Sequence, residues 1–80
     1  MRTYTDSERI RIFELMEVVV EESKGGYADY AKSYAEHTIT AYYTYGDEGI
    51  NHQIPYVLTN LGHWRGPTAI ATKTELKSFL

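Results

Sequence analysis

The sequence predicts an all-α fold, a compact bundle of three to four helices. Apolar residues recur at intervals of three and four along most of the chain, which is the helical period. Glycines and a Gly-Pro pair interrupt that pattern at Gly25, Gly46 and Gly66. A chain of 80 residues without cysteine lacks disulfide support, which favours a compact helical fold or an oligomer. The predicted helices lie near 7–24, 27–45, 48–63 and 67–79, in a single domain spanning 1–80.

The first predicted helix has a capping sequence at its N-terminus and is apolar around most of its surface. Thr5, Asp6 and Ser7 offer N-cap side chains, and Glu8 places an acid in the first turn. The apolar residues leave only a narrow polar stripe, so we expect this helix to be central. Gly25 and Gly26 end it, and at least one of them should have a positive φ. The apolar positions are Ile10, Ile12, Phe13, Leu15, Met16, Val19 and Val20.

The second segment allows two interpretations. Tyr-Ala pairs from Tyr27 onward fall on one helical face, and Tyr30, Tyr34 and Tyr45 should share an inward stripe with alanines. Residues 38–45 are β-branched and aromatic, which also suits a strand. The stripe continues unbroken to a glycine, so a single helix over 27–45 is the favoured prediction. The alternative is an α+β fold in which 38–45 form a strand.

The third segment begins at Asp47 and Glu48, which suit a helix start. Pro55 interrupts its pattern, because proline removes a backbone donor and disfavours helix at the preceding residue. Either the helix kinks at Pro55 or it starts there. Its apolar face comprises Ile50, Ile54, Val57, Leu58, Leu61 and Trp64.

A corner around the single tryptophan follows. Trp64 continues the apolar stripe, so we expect it to plug the core, with Arg65 bonding to a helix C-terminus or an acid. The alternative is that Trp64 and Arg65 form a binding hot spot. Gly66 permits the turn, and Pro67 starts the fourth helix. That helix has an apolar face of Ala69, Leu76, Phe79 and Leu80.

Several function classes lack support in the sequence. We expect no enzyme and no cofactor, since no nucleophile lies beside a base and no glycine-rich phosphate loop follows a strand. His37, His52 and His63 are too far apart in sequence for a helical metal site, so no metal is expected. Apolar runs fall short of the ~20 residues that span a bilayer, so we expect no membrane partner and a cytoplasmic protein.

Tyrosine is the compositional outlier, with eight copies. A core of this size cannot bury eight phenols and satisfy their hydroxyls, so some must lie on the surface as contact residues. Ten of the eleven acids lie in residues 1–48. We expect Tyr43 to be exposed beside Asp47 or Glu48. The predicted partner-binding set is Tyr30, Tyr34, Tyr42, Tyr43, Tyr45, Asp29, Glu36, Asp47 and Glu48.

One sequence block carries a resemblance. The run from Tyr56 to Gly66, with Ala69, Lys73 and Lys77 after it, resembles a pattern in small hypothetical proteins of phage and mobile-element origin. The earlier Tyr-Ala pairs are similar to that group as well. The resemblance implies a compact all-helical domain, and it implies no activity.

Two functional hypotheses follow. The first is a phage-encoded protein in the host cytoplasm that binds a host protein stoichiometrically and inhibits it, for example a CRISPR effector or another defence factor. Tyrosines and acids would then cover a basic groove on that partner. The second is a small helix-turn-helix regulator that binds DNA through its last helix, residues 67–80. Its candidate nucleic-acid face is Arg65, Thr68, Thr72, Lys73 and Lys77. A third interpretation is a homo-oligomer that buries the tyrosines between copies.

Overall fold

The first helix begins where the sequence supplies a capping box. In the computed structural model, which describes residues 2–80, helix α1 runs over Asp6–Glu22. Oγ1 of Thr5 accepts a hydrogen bond from the Glu8 backbone N–H at 3.2 Å, and the Glu8 carboxylate accepts one from the Thr5 N–H at 2.9 Å. The helix ends shortly before Gly25, whose φ of 115° confirms the predicted positive φ.

The second helix, α2, runs over Ala28–Tyr45. It contains residues 38–45, and residues 2–80 contain no strand, so the α+β alternative is wrong. The β-branched Thr38 is accommodated because its hydroxyl donates to the Tyr34 carbonyl at 3.0 Å, which satisfies the buried polar group inside the helix. Gly46, with a φ of 69°, ends the helix as predicted.

The third helix, α3, runs over Asp47–Thr59 and passes through Pro55. The alternative in which the helix starts near Pro55 is therefore wrong. Pro55 is exposed, so the missing N–H lies on the solvent side of the helix, where its cost is lowest. The helix ends short of the predicted residue 63, and Leu61 is buried in the irregular segment that follows.

The corner after α3 is held by a lysine. Trp64 is 4% exposed and belongs to the core, which confirms its predicted role as a plug. The Lys73 ammonium donates to the carbonyls of Leu61 at 3.2 Å and Trp64 at 2.8 Å. Arg65 is exposed and is absent from the hydrogen bonds at this corner among the described residues, so the capping role expected of it belongs to Lys73. Gly66, with a φ of 110°, leads into α4, which runs over Pro67–Ser78.

The four helices form a ring in chain order. Each packs against its neighbours in sequence, and α4 returns against α1. The α2–α3 contact is the most extensive, and a Cβ at Gly49 would strike the Ala41 carbonyl there. The helix α1 is one wall rather than the predicted centre, and its Ile10 is 62% exposed. The core comprises Tyr4, Ile12, Leu15, Met16, Val19, Ala31, Ala35, Ile50, Ile54, Val57, Leu61, Trp64, Ala69, Leu76 and Phe79.

Candidate functional site

The predicted tyrosine patch is divided between two flanks of α2. On the flank towards α3, the Tyr34 ring stacks on Tyr56, with ring centroids 5.2 Å apart. On the flank towards α1, the Tyr42 ring meets Phe13 edge-on at 5.7 Å. The helical spacing places Tyr30 and Tyr45 with the first flank. The tyrosines expected to form one patch therefore form two surfaces.

We call the larger surface the aromatic face. It lies along α2 and α3 and continues into the loops at one end. Ring contacts join its members into two groups: Tyr56 lies 5.5 Å from His52 and stacks on Tyr34, whereas Tyr27 lies 6.5 Å from Tyr30 and meets His63 edge-on at 5.5 Å. Tyr45 lines a pocket together with His52. The aromatic face comprises Tyr27, Tyr30, Tyr34, Tyr45, His52, Tyr56 and His63.

The phenols of the aromatic face are turned outward. Tyr45 is 70% exposed, Tyr30 61%, Tyr27 51% and Tyr56 45%. The inward positions of α2 belong instead to Ala28, Ala31, Ala35 and Thr38. Small side chains there allow the helices to approach closely, which leaves the bulky rings on the rim. The inward stripe predicted for Tyr30 and Tyr45 is therefore wrong.

One end of the aromatic face contains a pocket of about 400 Å³. The exposed carboxylate of Glu48 lies on its wall, beside Tyr45 and His52. Gln53 also lines it, and the Gln53 Oε1 atom is buried without a hydrogen-bond partner among residues 2–80. Ala41 and Gly49, which meet where α2 crosses α3, also line the pocket. Its polar groups suit a bound hydrogen-bond donor.

The second flank of α2 carries the other predicted tyrosines. Tyr43 is 81% exposed, as predicted, and its ring lies 5.7 Å from that of Tyr42. Tyr42 is half-buried because it packs against Phe13 and the core. Glu36 is exposed on the same flank, two turns before Tyr43. Asp29 is exposed in the first turn of α2, where the helix dipole favours an acid.

Asp47 has an internal role. Its carboxylate accepts hydrogen bonds from Arg9 at 2.7 and 2.9 Å and from the Tyr4 backbone N–H at 2.9 Å. The Arg9 hydrogen bonds, and then that of Tyr4, hold the pKa of Asp47 below its usual range. The side chain is only 9% exposed. Asp47 therefore ties α3 to the start of the chain, and its assignment to the partner-binding set is corrected.

Two residues of the alternative nucleic-acid face are engaged inside the fold. Thr72 is 4% exposed and faces the core, and Lys73 is engaged with the carbonyls at the corner. Arg65, Thr68 and Lys77 remain exposed. The segment 60–66 that joins α3 to α4 is longer than the 3–4-residue turn typical of a helix-turn-helix. Arg65 and Lys77 are the exposed cations of this predicted face.

Two further features bear on the kind of site. Within residues 2–80, no three side chains among His, Cys, Asp and Glu are grouped so as to hold a metal ion. None of the helices in that range combines the length and the apolar character needed to cross a membrane.

Sequence reasoning missed Tyr56 and His52. Neither belongs to the predicted partner-binding set, although their spacing of four places them on one side of α3. Ile10 and Ile39 were also missed as surface residues, and they are 62% and 43% exposed. Ile10 has glutamates four and seven residues later, whereas Ile12 has apolar residues at both of those positions, so the helical spacing could have identified Ile10 as a surface residue.

Comparison of the chain with protein-family models, curated proteins and solved structures found no significant match.

Proposed function

We propose that the chain is a stoichiometric protein-binding domain whose contact surface is the aromatic face. One observation carries the proposal: four phenols between 45% and 70% exposed lie along one side of α2 and α3. Tyrosine is enriched at the centres of protein interfaces, because its ring buries a large area while its hydroxyl finds a polar partner. Neighbouring rings restrict each other, which lowers the entropy lost on binding.

The charge of the aromatic face favours a protein over a nucleic acid. Stacking surfaces for single-stranded nucleic acid combine aromatic rings with cations that follow the phosphates. Residues 33–59, which include most of α2 and all of α3, contain no lysine or arginine, and the chain has a formal net charge of −3. Glu48, beside Tyr45, would repel a phosphate and attract a lysine or arginine side chain.

The same proposal extends to the kind of partner that the domain binds and inhibits. A small acidic domain that covers a basic surface on another protein blocks whatever that surface binds. The protein that we propose it inhibits is a host defence factor, such as a CRISPR effector, because the domain is small and acidic and its exposed tyrosines suit a basic groove. The exposed aromatic face and the acid beside it are the features that support such a contact.

Site-specific photo-crosslinking tests this proposal. A photoreactive phenylalanine analogue would replace Tyr30 or Tyr45 in turn, in the cell that carries the gene. We expect one adduct that joins one copy of the chain to one copy of a partner protein. The matched controls carry the analogue at Thr68 or Lys77, exposed positions in α4, and should give no adduct.

Three outcomes would overturn the proposal. Adducts from the Thr68 or Lys77 positions alone would move the contact to α4. Adducts with nucleic acid would favour the regulator hypothesis. Adducts only with a second copy of the chain would favour a homo-oligomer.

A further inference from the structure

A groove between α1 and α2 carries an exposed apolar floor. It lies on the flank of α2 away from the aromatic face and has a volume of about 500 Å³. Ile10 at 62% and Ile39 at 43% are exposed along it. Phe13 and Val20 are half-buried there and pack against the core. Large aliphatic side chains are therefore held at the surface in a concave arrangement, which a covering apolar side chain would stabilise.

The walls of the groove are acidic. Glu14 and Glu17 project from α1 and Glu36 from α2, and all three are exposed. Arg11 lies 3.6 Å from Glu14, but its guanidinium makes two hydrogen bonds to Glu75 on α4. No lysine or arginine lines the groove itself. The groove therefore combines an apolar floor with a rim of three glutamates, of which Glu14 has Arg11 as an ion-pair neighbour.

We propose that this groove is the docking site for a basic amphipathic helix of a partner protein. Leucine or phenylalanine side chains at helical spacing would cover Ile10 and Ile39, and flanking lysines or arginines would meet Glu14, Glu17 and Glu36. An extended segment would leave part of the apolar floor uncovered, and an acidic segment would leave the glutamates of the rim without a partner. Charge complementarity determines this choice of occupant.

A second copy of the chain fits the groove less well. In a second copy, α4 would have to act as the docking helix, with Ile70, which is 65% exposed, as its apolar contact. Lys77 is exposed on that helix, whereas Lys73 is bonded to carbonyls at the corner and cannot meet an acid without releasing them. The chain thus offers one free lysine on α4 against three glutamates.

The proposal is independent of the aromatic face, because the two surfaces occupy opposite flanks of α2. A partner on one surface leaves the other accessible, so the domain would bind at two sites. Alanine at Tyr45 should leave the groove unaffected, and a charge reversal in the groove should leave the aromatic face unaffected. Failure of either proposal is therefore visible separately.

A synthetic peptide tests the groove directly. The probe is a helix-forming peptide of about 18 residues with leucines on one face and lysines on both borders, and the control peptide has glutamate at every lysine position. Titration of the isotope-labelled protein should shift the amide resonances of Glu17, Glu36 and Ile39. The control peptide should shift none of them. Raising the salt concentration should weaken binding of the probe.

Paired variants complete the test. Glu17→Lys with Glu36→Lys should weaken binding of the probe at least about tenfold, because two attractions become repulsions. Glu48→Lys, which reverses an acid outside the groove, should change it less than about twofold. The reversed residues are exposed, so unchanged helicity is expected in both variants.

The proposal is overturned if the probe shifts resonances of the aromatic face instead, if both peptides bind equally, or if Glu48→Lys weakens binding as much as the groove variant. Absence of binding at millimolar probe would also overturn it. Concentration-dependent dimerisation that shifts the groove resonances without any peptide would identify a second copy as the occupant and contradict the basic-helix assignment.

Discussion

Trp64 closes the core from outside a helix. It lies in the irregular segment after α3, and Lys73 fixes the backbone on both sides of it through the Leu61 and Trp64 carbonyls. The hydrophobic stripe predicted its burial correctly. The expectation that Arg65 bonds at this corner was wrong, because sequence spacing cannot show which of two nearby cations reaches a helix end.

We expect Trp64→Ala to reduce the free energy of unfolding by about 3–5 kcal/mol, because it removes a large buried ring and leaves a cavity. A domain of this size has a total stability of about 5–15 kcal/mol, so the variant should be close to unfolding. Urea denaturation measures the change. Tyr43→Ala, at an 81% exposed position, is the control and should stay within about 0.5 kcal/mol. Equal stability of the two variants would contradict the core role.

The hydrogen bonds between Arg9 and the Asp47 carboxylate should make the stability of the fold sensitive to acid. Hydrogen bonds from Arg9 hold its folded-state pKa below the ~3.9 of an unfolded aspartate. Its stabilising contribution is therefore present above about pH 4 and is lost as the pH falls through the folded-state pKa. The pKa of Glu8, held down chiefly by the Thr5 N–H, and that of Glu75, held down by Arg11, act in the same direction.

Asp47→Asn should therefore lower the melting temperature at pH 7 and reduce its decline between about pH 4 and pH 2, because the titrating carboxylate is gone. Thermal melts across that range measure both effects. Glu21→Gln, at an exposed acid of α1, is the matched control. A variant whose melting curve falls as steeply with acid as the wild type would show that Asp47 contributes nothing to the pH dependence.

At the scale of elements, the glycines define where helices end and where they touch. The pattern predicted the ends of α1 and α2 at Gly25 and Gly46, both of which have a positive φ. It did not predict that Gly49 marks the α2–α3 crossing, since a close approach depends on the partner helix. The helical outcome for residues 38–45 also depended on tertiary packing, because Thr38 is buried and Ala41 and Tyr42 are half-buried, despite the β propensity of the segment.

The two glycines between α1 and α2 give a matched pair of variants. Gly25→Ala should destabilise the protein by at least about 1 kcal/mol, because Gly25 has a φ of 115° and a Cβ there would lie 2.9 Å from the His63 Cβ. Gly26→Ala has open space and no positive φ, so it should be neutral or stabilising by up to about 1 kcal/mol. Chemical denaturation of both variants measures this. Equal effects would indicate that the α1–α2 turn differs from the one described.

The helix crossing gives a second matched pair. Gly49→Ala gains up to about 1 kcal/mol in helix propensity, but its methyl group would meet the Ala41 backbone, and overpacking costs about 1–3 kcal/mol. We therefore expect a net loss of stability. Gly62→Ala, with nothing near its Cβ position, should be close to neutral. A stabilised Gly49→Ala protein would mean that α2 and α3 are farther apart.

At the scale of the whole molecule, the ring of helices decides which tyrosines become surface. The molecule measures 30 × 20 × 19 Å, and alanines on α2 bring α3 close enough to leave large rings on the rim. Composition predicted that some tyrosines must be exposed, and it identified Tyr43. Composition could not show that Tyr30 and Tyr45 point outward, or that Tyr56 lies on the aromatic face with them. Those positions depend on which side of α2 each neighbouring helix occupies.

The central claim is that the aromatic face binds a partner without supporting the fold. The most direct measurement compares melting temperature and partner affinity for the double variant Tyr30→Ala with Tyr45→Ala, using the crosslinked partner once purified. Both side chains are more than half exposed, so we predict unchanged melting, and a loss of at least about 2 kcal/mol in binding, roughly thirtyfold. Ile70→Ala, exposed on α4, should change neither quantity. A double variant that unfolds, or one that folds and binds with unchanged affinity, would contradict the claim.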